Sequence, residues 1–216
     1  MISRGAVIVA GLLLAAPAWG QSFSAYVVGV GPGAAADPAT RANGSGVYLG
    51  DGRVLTAAHV LGRGPAGRPV TVLVAGLRLP AVIRREGDLD GIDASLLTLD
   101  PAALPPERRA LPPLPLCPRL PPVGTLVTVA TPTRSFTPRL LPATLLPEPL
   151  ASRMPTLVEE VDANSGSPVV DPVAFCLLGL ISRRIEGTMS APGPRAERRG
   201  LARAFVAADR LSEILR

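Results

Sequence analysis

The sequence predicts an all-β protein made of two antiparallel six-stranded β-barrels, followed by a short C-terminal helix. Short apolar or alternating runs, which are typical of strands, occur in two sets, and Gly, Pro or Asp interrupts them about every eight to twelve residues. A Pro-rich stretch at 101–122 separates the two sets. Because Pro has no N–H group to donate to a strand ladder, we interpret this stretch as an extended connector between two β units.

The two sets of runs predict similar numbers of strands. The first set lies at 25–30, 46–50, 53–57, 70–76, 79–85 and 94–99, and the second at 124–131, 139–146, 155–161, 167–170, 175–182 and 202–207. Only the ends of these sets have helical character: we expect a helical turn at 57–61 and a helix at 207–215. The charged, Gly- and Pro-rich segment at 184–200 is predicted to be a loop.

Residues 1–20 differ in character from the rest of the chain. They combine a short basic start, an apolar run of about a dozen residues and small residues before Gln21, which is typical of a secretory signal peptide. The apolar run is too short to span a membrane. We therefore expect cleavage after Gly20, a periplasmic or secreted protein, and no membrane insertion after cleavage. The rest divides into an N-terminal barrel at 21–105, a linker at 106–122, and a C-terminal barrel with its helix at 123–216.

The basic charge of the chain does not indicate a nucleic-acid interface. All 22 basic residues are arginines, and the formal net charge is +5. The arginines occur singly or in pairs without interleaved aromatic residues, whereas nucleic-acid binding usually needs a basic stripe with stacking side chains. We therefore expect solvated surface charge and no nucleic-acid partner.

Two cysteines, Cys117 and Cys176, are present in the chain. Export to an oxidising compartment favours a disulfide between them, with two free thiols as the alternative. Two cysteines and a single histidine do not make a plausible zinc site. We expect neither a metal nor an organic cofactor.

The only histidine, His59, ends the segment "LTAAH" within "GSGVYLGDGRVLTAAHV" at 44–60. This segment resembles the first catalytic block of the trypsin-fold serine proteases. The resemblance implies that His59 is the general base. A serine hydroxyl needs such a base because it is a poor nucleophile until its proton can be transferred.

Two further segments complete the resemblance. The segment "DANSGSPVV" at 162–170 is similar to the nucleophile motif of the family, which implies that Ser165 is the nucleophile. The segment "DASLLTL" at 93–99 is similar to the family's acidic block and implies that Asp93 orients the imidazole. The order His59, Asp93, Ser165 is the chymotrypsin-type order. The resemblance therefore implies a chymotrypsin-like fold and a serine endopeptidase that cleaves protein or peptide substrates through an acyl-enzyme on Ser165.

The residues around Ser165 differ from the usual nucleophile motif of the family, and these differences concern its branch and its oxyanion hole. Asn164 and the following "SGSP" resemble the bacterial glutamyl-endopeptidase and heat-shock-protease branches. The resemblance assigns the oxyanion hole to the N–H groups of Ala163 and Ser165, but relatives usually have Gly at the first position, where the active loop favours a positive φ. Either the loop accommodates Ala163, or the 162–163 peptide rests in a flipped, non-productive state. The alternative function is a catalytically silent or partner-activated protein that binds peptide or protein in the same cleft.

Four residues are candidates for substrate binding. Ser182, Arg183 and Arg184 end the segment "LLGLISRR" at 177–184, which resembles the substrate-pairing strand of the family, and Glu159 lies six residues before Ser165. Arginine in the cleft would favour acidic substrate residues, whereas Glu159 would favour basic ones. The charged candidates are also plausible as ordinary surface charge, so no specificity is assigned. The oligomeric state stays open.

Overall fold

A computed structural model of the chain describes residues 23–32, 44–62, 68–146, 148, 150–153, 155–189 and 197–216. The predicted signal peptide at 1–20 lies outside the described residues. Among the residues that are described, no helix combines the length and the apolar character needed to cross a membrane.

The first structural unit is a closed antiparallel barrel. Its six strands are β1 (Val27–Pro32), β2 (Gly44–Gly50), β3 (Arg53–Thr56), β4 (Val70–Val74), β5 (Leu77–Arg85) and β6 (Ser95–Thr98). They pair in the order β1-β2-β3-β6-β5-β4 and close on themselves through β1 and β4. The interior is filled by aliphatic side chains such as Val30, Val47, Leu55, Val72 and Leu97, all of which are fully buried. All six strands match the predicted runs within a few residues.

The second unit is a half-barrel formed by one antiparallel sheet. Its strands are β7 (Thr128–Ala130), β8 (Ser135–Phe136), β9 (Leu140–Leu141), β10 (Leu157–Glu159), β11 (Pro168–Asp171), β12 (Cys176–Met189) and β13 (Glu197–Ala207). They pair in the order β8-β7-β11-β12-β13-β10-β9. The two-barrel, mostly-strand architecture confirms the predicted fold class. The seventh strand, β8, was not predicted because two residues between polar neighbours give no periodic signal.

The segment at 184–200 is not simply a loop, as the composition suggested. Its described residues extend β12 to Met189 and begin β13 at Glu197, and the two strands pair from Gly179 with Ala207 to Met189 with Glu197. Backbone hydrogen bonds hold such a ladder together, so it forms without the apolar residues that sequence patterns detect. Residues 190–196 lie outside the described part of the chain.

Four short α-helices complete the described part of the fold: α1 (Ala58–Leu61), α2 (Pro106–Arg109), α3 (Leu150–Arg153) and α4 (Ala208–Leu215). The predicted helical turn and C-terminal helix correspond to α1 and α4. Helix α4 packs Leu211 and Ile214 into the same hydrophobic cluster as the first barrel. It therefore joins the end of the second unit to the core of the first.

The Pro-rich linker is only partly extended. It contains a 3-10 turn at Pro101–Ala103 and then α2, both with Pro in the first turn, where the missing N–H group leaves no bond unmade. The chain then runs alongside β12, and the Cys117 N–H donates to the Leu177 carbonyl at 2.9 Å. The predicted disulfide between Cys117 and Cys176 is confirmed. It fastens the end of the linker to the start of β12.

Removing this cross-link is expected to destabilise the protein. The bridge joins residues 59 positions apart, so its main effect is to restrict the unfolded chain. Replacing Cys117→Ala together with Cys176→Ala should lower the free energy of unfolding by about 2 to 4 kcal/mol. Urea unfolding monitored by circular dichroism without reductant measures this loss, and reduced wild-type protein should unfold at the same urea concentration as the variant. A midpoint equal to that of the oxidised wild type would contradict the prediction.

Candidate active site

His59 is held at the edge of the first barrel by the end of β3. Strand β3 ends at Thr56, buried Ala57 follows in an extended conformation, and the one-turn helix α1 begins at Ala58. The imidazole is about one-third exposed. The barrel therefore fixes the backbone of His59 while its ring reaches solvent.

Asp93 lies just before β6 and is almost completely buried. Its carboxylate accepts hydrogen bonds from the backbone N–H of His59 at 3.0 Å, from His59 Nδ1 at 2.8 Å and from the Ser182 hydroxyl at 2.5 Å. An ionised carboxylate can only accept, so Nδ1 carries a proton and Nε2 keeps its lone pair. The ring is thus held in the tautomer in which Nε2 is the basic nitrogen.

The pKa of Asp93 reflects two opposing effects. Burial alone would raise the pKa of this carboxyl group. Hydrogen bonds from the His59 ring, from the Ser182 hydroxyl and from the His59 backbone outweigh burial, so the pKa of Asp93 lies below its ordinary value. Asp93 is therefore ionised at neutral pH.

Ser165 lies in a turn of the second unit that touches the first barrel through backbone atoms. The Ser165 carbonyl accepts from the Ser45 N–H at 2.8 Å, and the Gly166 N–H donates to Ile181 at 2.7 Å. Gly166 has a φ of 84°, and a Cβ at this position would lie 1.8 Å from the Ser45 carbonyl oxygen. Only glycine fits here, because both the backbone conformation and the close approach exclude a side chain.

The Ser165 hydroxyl and Asp93 are connected through Ser182 on β12. The Ser165 Oγ donates to the Ser182 backbone carbonyl at 3.0 Å, so its proton points to this carbonyl and not to His59. The buried Ser182 side chain in turn donates to Asp93. The sequence offered Ser182 only as a lining residue; its contact with Asp93 depends on how the two units pack, which no local motif encodes.

The two amides assigned to the oxyanion hole differ in their hydrogen bonding. The Ala163 N–H donates to the Val161 carbonyl at 2.9 Å, which closes a three-residue turn around Asp162. Ala163 is buried and is not among the described residues with a positive φ. Ser165 makes no N–H hydrogen bond to the backbone of the described residues. One of the two donors is therefore occupied by the protein itself.

The charged candidates for substrate binding make contacts within the protein. Arg183 donates to the Leu89 carbonyl at 2.6 Å, across from β12 to the segment before Asp93. Arg184 pairs with Glu160 at 3.1 Å. Exposed Glu159 accepts from the Arg139 backbone N–H at 2.9 Å. Asp93, Ser182 and Arg183 also line an open cavity of about 660 Å³. Within the described residues, no group of three or more His, Cys, Asp or Glu side chains is arranged to hold a metal ion.

Comparison with known proteins agrees with this geometry. A family model described as a trypsin-like peptidase domain matches residues 44–180, more than half of the chain. No curated protein sequence matches the chain significantly. A solved structure of kallikrein-related peptidase 10 is 18% identical, with a TM-score of 0.59 and coverage of 90% of this chain and 96% of that one.

Structures of two bacterial proteins are similar to a comparable extent. The MamO protease domain from Magnetospirillum magneticum is 20% identical, with a TM-score of 0.55 and coverage of 90% of this chain and 97% of that one. The active form of the Rv3671c protease from M. tuberculosis is 19% identical, with a TM-score of 0.56 and coverage of 89% and 80%. The inactive form of that protease matches as well, with a TM-score of 0.53, 18% identity and coverage of 89% and 88%. At these identities the structures show the fold that they share with this chain.

The ionised state of Asp93 is expected to contribute to stability in a pH-dependent way. In Asp93→Asn, one acceptor oxygen replaces two, and an NH₂ group faces the donors that bonded to the lost oxygen, which should cost about 1 to 3 kcal/mol of unfolding free energy at neutral pH. Because the pKa of Asp93 is lowered by folding, the carboxylate stabilises the folded state above its ordinary pKa of about 4, and this stabilisation is lost as the pH falls through the folded-state pKa. Urea unfolding at several pH values measures the difference in unfolding free energy between the wild type and Asp93→Asn. This difference should be constant above about pH 5 and become smaller in acid. A difference that widens in acid would contradict this prediction.

Proposed function

The chain belongs to the trypsin-like peptidase domain family, and we propose that it is an exported serine endopeptidase that forms an acyl-enzyme on Ser165. The observation that carries this proposal is the bond between His59 Nδ1 and buried Asp93. It leaves Nε2 as a base in a chain that has no other histidine. The disulfide is compatible with a periplasmic or secreted protein.

The proposed reaction uses each residue in turn. The Ser165 hydroxyl leaves the Ser182 carbonyl, gives its proton to His59 Nε2 and attacks the carbonyl carbon of the scissile peptide bond. Asp93 stabilises the imidazolium that forms. His59 then protonates the leaving amine, and the acyl group remains as an ester on Ser165. Water, deprotonated by His59, hydrolyses this ester and restores the free serine.

The oxyanion hole in this proposal consists of the N–H groups of Ala163 and Ser165. They stabilise the negative charge that develops on the substrate carbonyl oxygen. The bond from Ala163 to the Val161 carbonyl supports a resting loop that must reorganise when substrate binds. The 162–163 peptide would turn so that the Ala163 N–H faces the cleft.

The proposed branch of the family rests on the sequence around the nucleophile, and the proposed substrate contacts rest on the residues beside the cleft. Asn164 and the "SGSP" that follows favour the bacterial glutamyl-endopeptidase or heat-shock-protease branch. Arg183 and Arg184 on β12 would border a peptide or protein substrate, together with Ser182. Glu159 is the weakest of the four candidates, because its carboxylate already binds the Arg139 backbone.

A second candidate function is a catalytically silent or partner-activated protein that binds peptide or protein in the same cleft. Two observations favour it. The Ser165 proton points to a backbone carbonyl, and the Ala163 amide is occupied. Both functions use the same residues, and the chemical reactivity of Ser165 distinguishes them.

We expect a fluorophosphonate probe to label Ser165 in the mature protein, because an activated serine attacks the electrophilic phosphorus. Intact-mass and peptide mass spectrometry measure the adduct. His59→Ala should reduce the labelling rate by at least about 10³-fold because it removes the base. Ser165→Ala is the control for labelling elsewhere. Wild-type labelling rates in His59→Ala would contradict the role of His59, and a folded wild type that is never labelled would favour the silent protein.

We also expect Ala163→Gly to accelerate labelling. Glycine adopts a positive φ without the steric cost of about 1 to 2 kcal/mol that a Cβ adds, so the rate should increase about tenfold. Ala110→Gly, in an exposed position at the end of α2, is the matched control and should label at the wild-type rate. A rate in Ala163→Gly equal to or below that of the control would show that Ala163 does not limit the reactivity of Ser165.

A further inference from the structure

The Val161 carbonyl accepts hydrogen bonds from two donors. One is the Ala163 N–H at 2.9 Å, and the other is the Arg203 guanidinium, whose Nε lies 3.0 Å away. A carbonyl oxygen has two lone pairs, so both bonds form at once. Val161 itself is buried, with 9% of its surface exposed. The partners of this carbonyl therefore determine whether it stays satisfied when the loop changes shape.

Arg203 is fixed in this position from a different strand. It lies on β13, only 13% of its side chain is exposed, and its second nitrogen group pairs with Glu160 Oε1 at 3.3 Å. Arg184 on β12 pairs with the same Glu160 oxygen at 3.1 Å. The two arginines thus share one carboxylate, and Arg203 in addition binds the Val161 carbonyl.

We propose that Arg203 is a positioning residue for the oxyanion loop, which keeps the Val161 carbonyl hydrogen-bonded while the Ala163 N–H turns toward the substrate. This inference rests on the proposed role of the Ala163 amide. Arg203 does not touch the reacting atoms; it acts through Val161.

The number of donors left on the Val161 carbonyl depends on Arg203. With Arg203 in place, release of Ala163 takes the Val161 carbonyl from two donors to one. Without it, the same release takes the carbonyl of buried Val161 from one donor to none. An unsatisfied buried acceptor carries a substantial free-energy penalty, whereas the loss of one of two shared donors is much cheaper. Arg203 therefore makes the productive state of the loop more accessible.

The proposed role of Arg203 and a merely structural role predict opposite changes in the exchange rate of the Ala163 amide. If Arg203 only stabilised the fold, its removal would loosen the segment, and the Ala163 amide would exchange with solvent more quickly. If Arg203 lowers the penalty of release, its removal should hold Ala163 more tightly on Val161, and exchange should be slower. Hydrogen exchange of the Ala163 amide thus distinguishes the two roles.

The experiment measures amide exchange by NMR in the mature chain carrying Ser165→Ala, so that no catalytic activity is needed. Adding Arg203→Met should slow the exchange of Ala163 about tenfold, since unsatisfied buried groups have penalties of this order. Arg203→Lys retains the positive charge beside Glu160 but lacks the Nε that bonds Val161, and it should slow exchange similarly. If Arg203→Met does not fold, Arg203→Lys decides the result. Unchanged or faster exchange in the folded variants would overturn the proposal.

The matched control is Arg184→Met, which removes the other ion pair of Glu160 and leaves Val161 untouched. It should leave the exchange of Ala163 unchanged. If Arg184→Met slows the exchange of the Ala163 amide as much as Arg203→Met does, the effect comes from the charge of Glu160. This result would overturn the role of the Val161 carbonyl.

Labelling of Ser165 in the otherwise wild-type chain separates this inference from the proposed function. Arg203→Lys should slow labelling about tenfold, and the loss should be smaller when Ala163→Gly is also present, because glycine already favours the productive state. Equal losses in both backgrounds would overturn the inference while leaving the serine peptidase intact. An unreactive Ser165 would refute the proposed function, and the exchange measurement would still decide the role of Arg203.

Discussion

The arrangement of the site depends on the hydrogen bonds that the buried carboxylate of Asp93 accepts. It accepts hydrogen bonds from His59 in the first barrel and from Ser182 in the second unit, so one ionised side chain joins the two units at the point where they meet. A buried charge is tolerated only when hydrogen bonds replace its lost water. Each of these donors therefore supports the others, and loss of either unit's contribution would leave a charged group insufficiently solvated.

The second constraint is the close approach of two backbones. The segment that begins β2 and the turn at Ser165 are in contact without intervening side chains: a Cβ at Gly44 would lie 2.9 Å from the Ser165 carbonyl oxygen, and one at Gly166 would lie 1.8 Å from that of Ser45. The Thr56 hydroxyl also donates to the Ser45 carbonyl at 2.7 Å, next to the end of β3. The glycines of the "GSG" and "SGS" segments thus determine how closely the two units can pack.

Local sequence predicted those features that depend on residue type and spacing. The strands of the first barrel and the disulfide were predicted in this way, and the resemblance to the trypsin-fold proteases predicted the pairing of His59 with Asp93. Other features depend on directions in space that residue types do not encode. The Ser182 hydroxyl turns toward Asp93, Arg183 reaches Leu89, and the Ala163 amide points back to Val161, because each contact is set by the packing of distant segments or by the rotation of one peptide plane. Strand β8 and the extension of β12 and β13 into the segment predicted as a loop escaped prediction because backbone pairing needs no apolar pattern.

In the proposed enzyme, two of the groups that act on the substrate are satisfied by the protein's own carbonyls when no substrate is bound. The Ser165 hydroxyl donates to Ser182, and the Ala163 amide donates to Val161. Leaving such donors buried without partners would be unfavourable, so an empty site fills them internally. A substrate must therefore supply enough binding free energy to replace two internal hydrogen bonds before reaction begins. Ligands that bind the cleft weakly cannot do so, and selectivity arises from the reorganisation of the loop as well as from the side chains that line the cleft.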